Sequence, residues 1–229
     1  MGKRYEAAAK LVDPKKRYRL AEAVEILKKF PKTKFDESID LAVKLGVDPK
    51  HSDQMVRGTV SLPHGTGKKV RILVFAEGEP ATAARNAGAD FVGYKELIEK
   101  VKGGWFDFDL VIATPAAMSE VRKLGRELGP KGLMPNPKTG TVAEDTAKAV
   151  KEFQAGRVEF KLDKAGNLHI SIAKASFEAN QIAENARATL DAIVRARPAA
   201  AKGTYLENAA ISATMSPAVK LDVKEFVAA

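Results

Sequence analysis

The stretch "KKVRILVFAEG", residues 68–78, decides how the chain is read. Ile72, Leu73, Val74 and Phe75 follow one another with no polar residue between them. So short an apolar run is the mark of a strand covered on both faces, as in parallel sheets. "DLVIATP" at 109–115 has the same texture. Between the two runs, "PATAARNAGA" (80–89) and "GYKELIEKVKGG" (93–104) carry helical patterns. Strand and helix in alternation predict a parallel, doubly wound sheet.

Outward from this stretch the pattern changes. "SIDLAVKLGV" (38–47) alternates Ile39, Leu41, Val43 and Leu45 with Asp40, Ala42 and Lys44, a strand with one buried face. "LAEAVEILKKF" (20–30) puts Leu20, Val24 and Leu27 on one helical stripe that Pro31 stops, and "MVRGTVSLP" (55–63) reads as a second strand. Beyond residue 156, "GRVEFKLDKAGNLHISIAK" reads as a hairpin turning through Asp163–Asn167. A helix over 177–196 follows, with Ile182, Ala186, Leu190 and Ile193 inward, and then the alternating "TYLENAAISATM" and "AVKLDV". Neither flank suffices for a core of its own. The expected architecture is therefore α/β with two domains. Residues 1–66 plus 157–229 form a discontinuous α+β domain with an antiparallel sheet, interrupted by a Rossmann-like α/β domain at 67–156. Gly65, Gly67 and Gly156, where the chain crosses between them, are the expected hinge.

The 229 residues carry 38 basic and 29 acidic side chains, net +9. A basic surface attracts polyanions, because each neutralised phosphate releases condensed counterions. The outer segments hold 24 basic against 17 acidic residues and the insert 14 against 12, so the polyanion site is expected on the outer domain. Cysteine is absent and the three histidines, His51, His64 and His169, are scattered, which argues against disulfides, thiolate chemistry and a transition-metal site. No apolar run reaches the ~18 residues of a membrane span, and the basic N-terminus lacks the apolar stretch of a secretory signal. No membrane partner, no metal and no cofactor are expected, and the cytosol is the expected compartment.

Two nucleotide motifs fail on inspection. "GLMPNPKTGT" (132–141) resembles a Walker loop, but Pro137 stands where the second Gly belongs, and Pro135 removes another backbone donor. "GTGKKV" (65–70) has Val70 in place of a third Gly and precedes its strand instead of following it. What "KLGRELGPKGLMPNPKTGTV" offers instead is a positive loop. Arg122, Lys123, Arg126, Lys131 and Lys138 face one acid, Glu127. Gly125, Gly129 and Gly132 permit close backbone approach by a partner, and three prolines limit the entropy lost on binding.

That loop, with "KFDES", "SDQMVRGTVSLPHGTGK", "AGRVEF", "KASF", "KGTYL" and "TMSP", closely resembles the ribosomal protein L1 family of the large-subunit stalk, the bacterial form most of all. The resemblance covers essentially the whole chain and implies the same interrupted two-domain plan. It implies a non-enzymatic protein, a monomer when free, whose partners are 23S rRNA at the mobile stalk, deacylated E-site tRNA, and its own operon mRNA, which it represses. Carried over by motif, the RNA-binding residues are Lys34, Phe35, Glu37 and Ser38, then Asp163, Lys164 and His169, then Thr214, Met215 and Ser216. The loop cations Arg122, Lys123, Arg126, Lys131 and Lys138 are then expected to face tRNA or peripheral rRNA. Ser216 replaces a usual Gly, Ala165 a common Thr, and Asn208 a frequent Ser. Two rival readings remain from the residues alone. A nucleotide-using enzyme would hold its ligand at the strand ends of the insert, and a DNA-binding regulator would use the same charge.

Overall fold

The structure, a computed structural model, describes residues 2–227. It is a mixed α/β chain with three sheets among those residues. Its contacts gather into two compact units. One comprises the chain up to Lys68 and again from Gly156, and the other is Lys69–Ala155.

The first unit begins with α1 (Lys3–Ala9) and α2 (Leu20–Lys29). Leu20, Ala23, Val24 and Leu27 make the buried stripe of α2, and Lys28 and Lys29 complement its C-terminal dipole. Phe30 is already extended, as a residue before proline must be. Strand β1 (Ser38–Leu45) buries every second side chain, and β2 (Arg57–Ser61) follows.

The second unit contains β3 (Ile72–Phe75), α3 (Glu79–Asn86), β4 (Phe91–Gly93), α4 (Lys95–Lys102), β5 (Leu110–Ala113), the short α5 (Met118–Val121) and α6 (Gly125–Leu128), and α7 (Thr146–Gln154). β4 was not legible in the sequence, since three residues carry no periodicity. The strands are parallel in the order β4-β3-β5. Both faces of β3 are sealed. Leu73 and Phe75 pack with Ile98 and Val101 of α4 and with Val121 and Leu128, while Ile72 and Val74 pack with Ala81 and Ala84 of α3 and Val150 and Phe153 of α7. That two-sided burial is the physical cause of the unbroken apolar run.

The first unit resumes with β6 (Arg157–Lys161), β7 (Asn167–Lys174), α8 (Ala179–Arg195), β8 (Leu206–Ala213), β9 (Val219–Leu221) and α9 (Lys224–Val227). A four-stranded antiparallel sheet runs β7-β1-β8-β9, and β2 pairs with β6 in a separate ladder. α8 starts on a capping box of Glu178 and Gln181 and buries Ile182, Ala186, Leu190 and Ile193 against the sheet.

The hairpin expected over 156–174 is corrected by this topology. The turn forms, with Asp163 N–H donating to Asn167 O at 2.9 Å. The strands on either side then part, β6 joining β2 and β7 joining β1. Alternation tells which face of a strand is buried and says nothing of which neighbour it pairs with. Phe160 is set directly opposite Gly58, where an added Cβ would stand 2.7 Å from the ring, so the glycine makes room for the aromatic.

The two chain crossings are held within the first unit by close backbone approach. Gly156 has φ 104°, and a Cβ there would lie 2.4 Å from Gly65 Cα. Asn185 of α8 fixes the same corner. Its side chain is 0% exposed, donates to Gly65 O at 2.9 Å and Ile172 O at 2.8 Å, and accepts from His64 N–H at 3.1 Å. Asn185→Ala orphans these partners and is expected to destabilise the fold by about 2–3 kcal/mol, the cost of buried polar groups left unpaired. Urea unfolding would show it as a lower midpoint at unchanged slope.

Candidate nucleic-acid interface

Because β1 turns Ile39, Leu41, Val43 and Leu45 into the core, Ser38, Asp40, Ala42 and Lys44 stand on the opposite face. Register extends that face sideways. Ala42 lies between His169 of β7 and Ala210 of β8, and Ala210 lies beside Lys220 of β9. Asp40 lies between Ser171 and Ser212, and Lys44 between Asn167 and Asn208. Small and polar side chains make this face shallow, and basic residues sit toward its edges.

One end of the face gathers residues far apart in sequence. Ser38 N–H donates to Thr214 Oγ1 at 3.0 Å, and Thr214 N–H returns a bond to Ser38 O at 3.0 Å. The buried Glu37 carboxylate accepts from Met215 N–H at 3.0 Å. Lys174 Nζ donates to Ser38 Oγ at 2.9 Å, and Asp36 holds Ser176 through its N–H at 3.0 Å and its hydroxyl at 2.8 Å. Ser216 closes the neighbouring turn, its Oγ accepting from Ala213 N–H at 2.9 Å. Beside this lattice Phe35 and Met215 remain 55% and 54% exposed. Met215 lies past the end of β8, in the turn before β9, outside the strand alternation. Lys34 is exposed on the same segment. A cleft of about 360 Å³ opens between Lys28, Lys32, Phe35, Glu37 and Ser176. Lys28 donates to the carbonyls of Ala175 and Phe177, and partial burial, with Lys32 nearby, pulls its ammonium below the usual lysine range.

The structure thus brings together Lys34, Phe35, Glu37, Ser38, Thr214, Met215 and Ser216. It sets Asp163 and Lys164 at the other end of β1, beside Lys44, roughly 20 Å away by strand rise. Asp163 is a turn-former there. Its Oδ1 accepts from Asn167 N–H at 2.7 Å and Ala165 N–H at 2.8 Å, and these bonds hold its carboxyl below the usual range. Lys164 lines a cleft with Lys44, Lys50 and Lys202. His169 lies exposed between the two ends, its Nε2 3.9 Å from Asp163 Oδ2. The sequence reading did not single out Asp40, Lys44, Ser171, Ser212 and Lys220, which the register places on the open face, or Lys174 at its end. Their signal was present as the out-of-phase positions of strands already recognised.

In the second unit, Arg122, Arg126 and Lys138 are exposed, Lys123 is held by Glu120 at 2.7 Å, and Lys131 Nζ sits 3.4 Å from the centre of the Phe106 ring. Asn136 ties the loop, its Oδ1 accepting from Lys138 N–H at 2.9 Å and its own N–H donating to Thr141 Oγ1 at 2.7 Å. Gly129 serves the chain itself: a Cβ there would stand 2.5 Å from Gly125 O. Among the described residues no His, Asp and Glu side chains converge as a metal ion requires, and no helix is long and apolar enough to cross a membrane.

A polar sheet face carrying lysines, with exposed apolar side chains beside one end, has the residue types that an extended anionic polymer meets. A model of the Ribosomal protein L1p/L10e family matches residues 27–217, and the chain belongs to that family. It is a large-subunit ribosomal protein, of a structural and not an enzymatic family, with ribosomal RNA as its partner.

The Asp163 turn makes a pH prediction. A lowered folded-state value means its contribution is complete above the ordinary carboxylate range and is lost as pH falls through the lowered value. Asp163→Ala is expected to speed hydrogen exchange at Ala165 and Asn167 at neutral pH while leaving amides of β1 protected.

Proposed function

We propose that the first unit anchors the chain on folded 23S rRNA of the mobile stalk. Its contact runs along the open sheet face from the Phe35–Met215 end toward Lys164. The observation that carries this reading is the pairing of Phe35 and Met215, both exposed, with a hydrogen-bonded lattice that has already used the polar groups around them. Such exposed apolar edges stack on bases or riboses, lysines meet phosphates, and the open-face hydroxyls of Ser171 and Ser212, outside that lattice, read 2′-hydroxyls. Glu37 and Asp163 act as positioning residues in this scheme, and neither need touch RNA.

The same proposal assigns the second unit, an inserted domain, to the tRNA side, with Arg122, Arg126, Lys131 and Lys138 offering charge. Gly65, Gly67 and Gly156 form the hinge between the two domains, through which the stalk carries deacylated tRNA toward release. Repression of the protein's own operon mRNA follows if that message presents the same RNA shape. The free protein is a cytoplasmic monomer on this reading.

The test is binding to the stalk rRNA fragment across a salt series, with Phe35→Ala and Thr214→Val beside the parent and a scrambled hairpin as control. Fold-selective binding should survive moderate salt and weaken by ~1–3 kcal/mol in either variant, the range of single stacking and base contacts. A steep salt slope, indifference to RNA fold and no effect of either variant would reduce the interface to bare charge.

A further inference from the structure

The second unit contains a cavity of about 420 Å³ that the RNA-binding surface does not use. It is lined by Glu77, Pro80, Tyr94, Thr114, Ala116 and Glu144, among others. Its position is set by topology. The chain leaves β3 for β4 on one side, then returns past β3 to β5 on the other, with α3 and α4 on opposite faces of the sheet. The connections diverge at the carboxyl ends of the strands, and open α/β sheets hold their ligands in that crevice. Glu77 follows β3, Tyr94 follows β4, and Thr114 follows β5, so all three strand ends contribute to the wall.

The chemistry of the wall rules out the phosphate ligands usual at such a place. No Lys or Arg lines it. The first turn of α3 contains Glu79 and also Pro80, which has no N–H, and Glu77 precedes it. What the wall presents is two carboxylates, Glu77 and Glu144, with neither ion pair nor side-chain hydrogen bond among the described residues. It also presents a tyrosine ring and the faces of Pro80 and Pro115. A further polar group points to a ligand. Thr114 is only 8% exposed, and its Oγ1 accepts from Ala117 N–H at 3.3 Å, which leaves the oxygen a second lone pair at the cavity wall to accept from the N–H of a cation. The volume suits a small molecule.

We propose that this cavity binds a small organic cation, an alkyl ammonium or guanidinium whose carbon body lies against Tyr94 and the prolines and whose charge meets Glu77 and Glu144. Carboxylates with an aromatic face recognise such groups through charge-assisted hydrogen bonds and cation–π attraction. In a protein of net charge +9, an acid-walled cavity repels the RNA that the rest of the surface attracts. The site is therefore independent of the RNA interface, and its occupant differs from RNA in sign.

Amide NMR of the full chain, titrated with agmatine and with spermidine at low and moderate salt, tests this. The expected result is saturable shifts confined to residues near 76–79, 94–95, 114–118 and 143–145. The Glu77→Gln/Glu144→Gln double variant should weaken binding by about tenfold or more, the loss of charged hydrogen-bond partners. Ala116→Phe, at an exposed wall position, should block the cavity while the remaining spectrum is unchanged. Adenosine and AMP should leave these amides unmoved. Shifts that never saturate, shifts spread over every acidic surface, equal affinity in the double variant, or tighter binding of adenosine would each overturn the proposal. Binding of stalk rRNA by the same variants should equal that of the parent, so failure here leaves the RNA reading untouched.

Discussion

The constraint on which the first unit depends is the two-residue period of β1. Ile39, Leu41, Val43 and Leu45 must all enter one core, and with β7 and β8 paired on either side the strand has no freedom to slip. A shift of one residue would expose four apolar side chains and bury Asp40 and Lys44. The same pleat that fixes the core fixes the composition of the opposite face, so core and interface are two readings of one alternation. The lattice at the Ser38 end follows from that register, because Ile39 opposite Ala213 delivers Thr214 to Ser38.

The second unit obeys a different rule with the same physics. Its central strand is apolar on both sides because helices cover both sides. That cover leaves only the strand ends and loops to meet anything else. Charge accordingly sits in the loop beyond α5, and the cavity sits where connections diverge.

Much of this was legible in the sequence, for identifiable reasons. Continuous and alternating apolar runs distinguish two-sided from one-sided burial, and they located β1, β3, β5 and the stripes of α2 and α8. β4 escaped because Phe91–Gly93 is too short to show a period. The partners of β6 and β7 escaped because pairing is a long-range choice, in which β6 meets β2 with Phe160 over Gly58 and β7 meets β1. The site was legible in pieces. Phe35, Ser38 and Thr214 come together, but nothing local shows that Lys174 reaches Ser38, because that contact joins segments 136 residues apart. The commitment of Asp163 to its own turn is by contrast local, resting on bonds to Ala165 and Asn167 within the same short stretch. Ser171, Ser212 and Lys220 were readable in principle, since every buried position in a half-covered strand implies an outward neighbour.

The bond from Met215 N–H to the Glu37 carboxylate joins positions separated by 178 residues. During synthesis, Glu37 leaves the exit tunnel well before Met215. The lattice that positions Phe35 therefore cannot exist on a nascent chain, however well α2 and β1 have formed. For a protein whose partner is RNA, the order of synthesis sets the charge of the chain ahead of its shaped surface. Until the last strands emerge and pair, the growing chain has charge to attract RNA but no shaped surface with which to hold it.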